Sequence, residues 1–153
     1  MTTLLLTGGR IIDPASKIDL YGDIWIAAGR IAAIVPDVTR SRDGATAGQM
    51  IGALPPGPAE RTLDVSGCIV APGLIDCRVK LGEPGFEEDE TIATGTAAAI
   101  AGGFTTVAAL PDGQPVCDAR AGAEYVALQA DRARHCRVVP LGGVTKQAAG
   151  EEL

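Results

Sequence analysis

Short apolar runs separated by glycine pairs fill the front of the chain. Residues 4–7 and 10–12 flank Gly8-Gly9, and residues 23–27 and 30–34 flank Ala28-Gly29, so each run reads as a strand. The second pair carries a two-residue hairpin signal. Within it, Ile24 and Ile26 share one face and Trp25 takes the other, as period-two alternation requires. Residues 61–65 and 68–70 repeat the pattern around Ser66-Gly67. Residues 39–60 break it, holding four Gly and three Pro with no apolar period. That composition predicts a loop or mobile insertion that can be removed at little cost. The whole front, residues 1–71, is expected to be a β-rich module.

From residue 72 the period changes. Pro72-Gly73 introduces a strand at 74–81. Glu87-Glu88-Asp89-Glu90 then places negative charge where a helix start would favour it. The helix is predicted to reach about residue 101 and to stop at Gly102-Gly103. Residues 104–110 form a β-branched and apolar strand ended by Pro111. Asp118 is the predicted N-cap of a second helix reaching about His135. Residues 137–141 make a further strand, and Gly142-Gly143 reads as a strand-to-helix turn. Alternation of this kind predicts βαβ units and parallel strands. The fold class is therefore α/β: a small β-rich module followed, over 72–153, by the first three βα units of an incomplete barrel. Closing such a barrel takes eight strands and typically ~250 residues. An open edge at 137–141 is expected to invite association, so an oligomer or a partner-dependent chain is anticipated.

Composition narrows the partners. The net charge is -6 and the Lys and Arg are scattered, which argues against nucleic acid or an anionic membrane. No apolar run approaches the roughly 20 residues of a membrane-spanning helix, and Leu4-Leu5-Leu6 is too short for a signal segment. A cytoplasmic location is the expectation. Aromatic residues are 3%, so the core must rest on Ala, Val, Ile and Leu. Cys68, Cys77, Cys117 and Cys136 show no metal or disulfide spacing and are expected to be reduced, mostly buried thiols.

The strand at 74–81 carries the candidate chemistry. Ile75, Cys77, Val79 and Leu81 make one apolar face suited to packing against helices. Leu74, Asp76, Arg78 and Lys80 make the other, which in a barrel points inward near the C-terminal mouth. Here Val70-Ala71-Pro72-Gly73-Leu74-Ile75-Asp76, Glu83-Pro84-Gly85-Phe86-Glu87 and Ala101-Gly102-Gly103-Phe104-Thr105-Thr106-Val107 stand in that order. Gly9-Arg10-Ile11-Ile12-Asp13-Pro14 precedes them, and Pro140-Leu141-Gly142 leads to Thr145-Lys146 at the end. Together these resemble the dihydroorotases and related cyclic amidohydrolases, over nearly the whole chain apart from 39–60. The resemblance implies an amidohydrolase-type barrel preceded by a β-sandwich module.

It also implies a site. The family pattern after the shared Asp is His-x-His-x-Arg, two zinc ligands and an arginine for the substrate carboxylate. This chain has Arg78, Lys80 and Gly82 instead. The family's asparagine in a Pro-Asn turn is Asp112 here. Protonated Arg and Lys offer donors and no lone pair, whereas zinc needs imidazole, thiolate or carboxylate. A cation about 4 Å from a dication is repelled by up to about 8 kcal/mol at an effective dielectric near 20. The family's other ligands would lie beyond Leu153. No catalytic residue and no metal ligand is therefore put forward: Arg78, Lys80, Gly82 and Asp112 are degenerate-site positions, and the family zinc is expected to be absent.

Several readings stay open. Arg78 and Lys80 are either a new anion site or structural charges balancing Asp76 and Asp112, and paired charges are the commoner state. Asp76 reads as a strand-end anchor. His135 beside Cys136 is more simply a solvated helix-end histidine than half of a metal site. The family has a non-catalytic branch that associates with aspartate carbamoyltransferase, and the changed strand, the Pro-Asp turn and Asp13-Pro14-Ala15-Ser16 are similar to it. Aspartate carbamoyltransferase is thus the partner the resemblance implies. The alternatives are the front of a zinc-independent or repurposed cyclic amidohydrolase, or an incomplete chain without independent function.

Overall fold

A computed structural model describes residues 3–40, 49–55 and 57–153. The chain divides into two compact units, Met1–Pro72 and Gly73–Leu153. No helix among the described residues is long and apolar enough to cross a membrane.

The first unit is built on β1 (Thr3–Asp13), β2 (Ile18–Ala27) and β3 (Arg30–Pro36), which pair antiparallel in sequence order. The β2–β3 hairpin turns on Ala28 and Gly29, both with positive φ (50° and 72°), the geometry whose twist matches the flanking strands. β4 (Ile51–Gly52) lies beside β3, and β5 (Arg61–Asp64) and β6 (Ile69–Val70) both run parallel to β1, so the sheet order is β4-β3-β2-β1-β5 with β6 also on β1. Ile11, Ile18, Leu20, Ile24 and Ile34 form its buried core. Each fully buried isoleucine contributes about 1.5–3 kcal/mol. Across β1 and β2, Asp19 accepts two hydrogen bonds from the Arg10 guanidinium (2.8 and 2.7 Å).

Two expectations for this unit need correction. Gly8-Gly9 does not separate two strands: β1 runs through it as a β-bulge, with the register shifting between Leu6 and Gly9. The N–H of Gly8, lost to the ladder there, donates to Asp23 Oδ1 (3.0 Å). The expected insertion at 39–60 is not structureless throughout, because β4 (Ile51–Gly52) pairs with β3. Its residues 41–48 and 56 lie outside the described residues, and the expectation of mobility with them.

The second unit is a three-stranded parallel sheet, β7 (Leu74–Val79), β8 (Phe104–Ala109) and β9 (Arg137–Pro140), with β8 central. Helices α1 (Ile92–Ala101) and α2 (Arg120–Ala133) supply the crossovers. Leu81, Ile92, Ala109, Val126 and Ala130 form the core, with Val79, Tyr125 and Val138 packed on it. Buried Thr96 is satisfied by donating to the Ile92 carbonyl (2.5 Å).

Helix starts differ from expectation. The acidic run 87–90 lies in turns, and α1 begins at Ile92 with Thr91 as N-cap. Thr91 Oγ1 accepts from Thr94 N, and Thr94 Oγ1 accepts from Thr91 N, a reciprocal capping box. Likewise Ala119, not Asp118, caps α2, which ends at Ala133. Asp118 instead accepts from Gln147 N (2.7 Å). The apolar face of β7 is also only half used: Val79 and Leu81 are in the core, while Ile75 and Cys77 are exposed. Both helices pack over β8 and β9 rather than over that end of β7. The cysteines differ too, since Cys68 and Cys77 are exposed and only Cys117 is fully buried.

The capping box gives a direct check. Thr91→Ala should cost about 1 kcal/mol, lowering Tm by about 4–8 °C in a unit of this size. Glu88→Gln should leave Tm unchanged within a degree or so, being a surface change away from any cap. Thermal unfolding followed by circular dichroism measures both.

Candidate functional site

The loop that follows β7 is shaped by its own backbone before any side chain matters. Gly82 has φ +66°, and a Cβ there would overlap the Glu90 carbonyl and come within 3.0 Å of Phe86 O. Its carbonyl accepts from Phe86 N (2.7 Å), and Phe86 O in turn accepts from Asp89 N and Glu90 N (3.0 and 3.2 Å). The loop therefore closes on Gly82 in a conformation that side chains oppose. The resemblance implies an arginine at this position, whereas the present turn depends on having no side chain.

Glu83 anchors the loop. Its Oε2 accepts from Ile92 N (3.0 Å), the first helical N–H of α1, and its Oε1 accepts from the Tyr125 hydroxyl of α2 (2.8 Å). That hydrogen bond, followed by desolvation and the carboxylate's charge, holds the Tyr125 phenol above its ordinary value near 10.

At the mouth formed by the ends of β7 and β8, Lys80 Nζ lies 3.2 Å from Asp112 Oδ2. Lys80, not Arg78, is thus the cation that Asp112 meets. The pair is exposed, with 76% and 36% of the side-chain surfaces accessible, so it contributes at most about 1 kcal/mol. Lys80, Gly82, Phe86, Asp89, Glu90 and Asp112 line a depression of about 330 Å³. Three of the four charged groups in it are carboxylates, so its field opposes an anionic ligand. Glu90 also accepts from the Thr94 hydroxyl. Arg78 stands apart: it is exposed, and Asp76 Oδ1 accepts from its backbone N–H (2.9 Å) rather than from its guanidinium. Asp76 is a local anchor of the strand where the β7–β8 register shifts.

Residue types alone do not bring Asp89 and Glu90 to this depression, or Glu83 to Tyr125 beside it. The acidic run suits a helix start, and the Thr91-x-x-Thr94 capping pair is the signal that moves it out of α1 and into the mouth. Zinc does not fit the residues present. Positions 78 and 80 offer only donors, and among the described residues no three His, Cys, Asp or Glu side chains converge as a metal site. His135 is exposed and Cys136 half-buried, its thiol pushed up by burial.

Comparison with known proteins gives a consistent picture. Residues 67–153 match the family described as Dihydro-orotase-like. The chain is 40% identical over 150 residues to a dihydroorotase of Solibacter usitatus, covering 98% of this chain and 31% of the relative. It is 41% identical over 150 residues to one of Syntrophotalea carbinolica, with the same coverage of 98% and 31%. The chain thus spans about a third of the length of these relatives. Among solved structures, the L-hydantoinase (dihydropyrimidinase) from Arthrobacter aurescens superposes with a TM-score of 0.68 at 22% identity, over 95% of this chain and 28% of that one. An amidohydrolase from a Sargasso Sea sample gives 0.58 at 22% identity, over 94% and 34%. These likenesses establish the fold: a β-rich part followed by the opening βα units of an amidohydrolase barrel.

Two substitutions test the loop. Gly82→Ala should destabilise by about 1–3 kcal/mol, through the left-handed backbone and the overlap with Glu90, read from urea midpoints. Tyr125→Phe should cost about 1 kcal/mol near neutrality and change the alkaline limb. Because the folded phenol titrates above its ordinary value, its contribution is complete below about pH 10 and is lost as pH rises through the raised value. Stability curves of the wild type and Tyr125→Phe should therefore converge above pH 10.

Proposed function

This chain belongs to the dihydroorotase-like family, and from that premise we propose that it is a non-catalytic member with a structural role beside aspartate carbamoyltransferase in pyrimidine synthesis. The observation that carries the reading is the mouth of the second unit. Where the resemblance implies two zinc-binding histidines, an arginine and an asparagine, the chain has Arg78, Lys80, Gly82 and Asp112. Lys80 and Asp112 pair across that mouth, and the turn at Gly82 leaves no room for a side chain. Carboxylates at 89, 90 and 112 surround the depression in which the family's anionic substrate would be held. Each change removes a different requirement: metal ligation, carboxylate recognition and electrostatic attraction. A protein that keeps the fold and loses all three has its remaining use in association.

The second reading is a repurposed cyclic amidohydrolase that works without zinc, with this chain as its front part. Arg78 favours it, being an exposed cation on β7 whose side chain forms no bond among the described residues. The depression beside Lys80 opposes it, because an anionic substrate there would meet the carboxylates of Asp89, Glu90 and Asp112.

The two readings diverge in one experiment on the full chain. Co-sedimentation with purified aspartate carbamoyltransferase should show a stable complex, while carbamoyl aspartate cyclisation should stay at background. Arg78→His combined with Lys80→His should also stay at background, because Gly82 and Asp112 are unchanged. Turnover by the unmodified chain without a complex would establish the enzyme reading; turnover by the double variant would show that the loop at Gly82 is no barrier.

A further inference from the structure

The end of the second unit opposite the mouth holds an unexplained concentration of positive charge. A depression of about 700 Å³ lies where α1 and α2 end and β8 and β9 begin, lined in part by Ile100, Thr105, Asp131, Arg134, His135 and Arg137. Two guanidiniums and an imidazole line it with one carboxylate, in a chain whose net charge is -6. Arg134, His135 and Arg137 are all exposed, and none of their side chains makes an ion pair or hydrogen bond among the described residues.

Arg134 is the most informative of the three. It is the C-cap of α2 with φ 56° and ψ 29°, a left-handed conformation. Helices commonly end this way, but on glycine, since any other residue there costs about 1 kcal/mol. The backbone N–H does the capping by donating to Ala130 O (3.0 Å), and glycine would do the same. The side chain adds no contact that offsets the strain. Complementing the helix dipole is the ordinary reason for a cation at this end, and Arg132 in the last turn already serves it.

We propose that this depression binds a small phosphate-bearing anion, with Arg134 and Arg137 as its paired donors. Guanidinium forks match phosphate oxygens two at a time, which a lone ammonium does not. His135 and the Thr105 hydroxyl, also in the lining, offer further donors. The volume falls within the roughly 300–1,000 Å³ usual for small-molecule sites. The apolar wall at Ile100 leaves space beside the phosphate for an uncharged moiety, so the ligand is either a bare polyphosphate or a nucleotide. This inference is independent of the fate of the catalytic mouth.

Calorimetric titration of the full chain with sodium pyrophosphate at low ionic strength tests it, with ATP as a second titrant. The wild type should bind one pyrophosphate saturably and lose affinity as salt rises. Tighter binding of ATP would place a nucleoside on the apolar wall, and equal affinity would assign the site to phosphate alone; either agrees with the proposal. Arg134→Gly and Arg137→Gln should each weaken binding about ten-fold or more, the loss of one charge-assisted contact. Arg134→Gly should at the same time keep or raise Tm, because glycine relieves the left-handed residue. The proposal fails if pyrophosphate does not bind, if both variants bind as the wild type does, or if Arg134→Gly lowers Tm. It also fails if a poly-glutamate peptide binds more tightly than pyrophosphate, which would make the surface a protein-docking site.

Discussion

The Glu83 carboxylate joins parts of the second unit that are far apart in sequence. One oxygen receives the N–H of Ile92, where α1 begins; the other receives the hydroxyl of Tyr125, halfway along α2. Its own backbone N–H donates to Leu81 O (2.7 Å) and fixes the bend that leads out of β7. Ile92 has no exposed surface and Leu81 is 3% exposed, so the groups Glu83 ties together border the core. Losing the carboxylate would remove both hydrogen bonds, at about 1 kcal/mol each, while the phenol keeps its contact with Gln129. Glu83 thus ties both helices to the loop that follows β7, in addition to the packing of Leu81, Ile92, Ala109, Val126 and Ala130.

Those changes act together. A single lost histidine would leave a weakened metal site, whereas cations at 78 and 80 supply no lone pair at either position. The turn on Gly82 brings Asp89 and Glu90 into the depression with Lys80 and Asp112, so its local charge is mainly negative. Function sits in sites placed on folds, and the proposed loss of catalysis here concerns the site alone, because the fold is the one its relatives share. The basic cluster at Arg134 and Arg137 shows that the same unit keeps charged surface elsewhere, at the end that barrel enzymes do not use for catalysis.

Much of the fold was legible because its signals are local. Ala28-Gly29 specified a hairpin through the backbone geometry of two residues. The switch from period-two runs to alternating strands and helices specified parallel pairing. The errors came where a residue's partner is distant in sequence. Asp118 was a good N-cap by type, but its carboxylate serves Gln147. The acidic run 87–90 suited a helix start, but the Thr91–Thr94 box satisfies those N–H groups one turn later. Alternation along β7 put Ile75 and Cys77 on a buried face, yet burial depends on what lies across from a strand, and no helix covers that end. At the site, the four altered positions were visible only through family resemblance. Their chemistry followed from residue type, whereas the pairing of Lys80 with Asp112 and the steric demand at Gly82 required coordinates.

We propose that the mouth of the second unit, with Arg78 and Lys80 where the resemblance implies histidines, does not ligate zinc. The most direct measurement is a crystal structure of the chain grown with excess zinc, with data collected on both sides of the zinc absorption edge. No anomalous peak is expected within ligand distance of residues 78, 80 or 112, and the Lys80–Asp112 pair should be intact. A zinc ion held there by protein atoms at about 2.0–2.3 Å would contradict it.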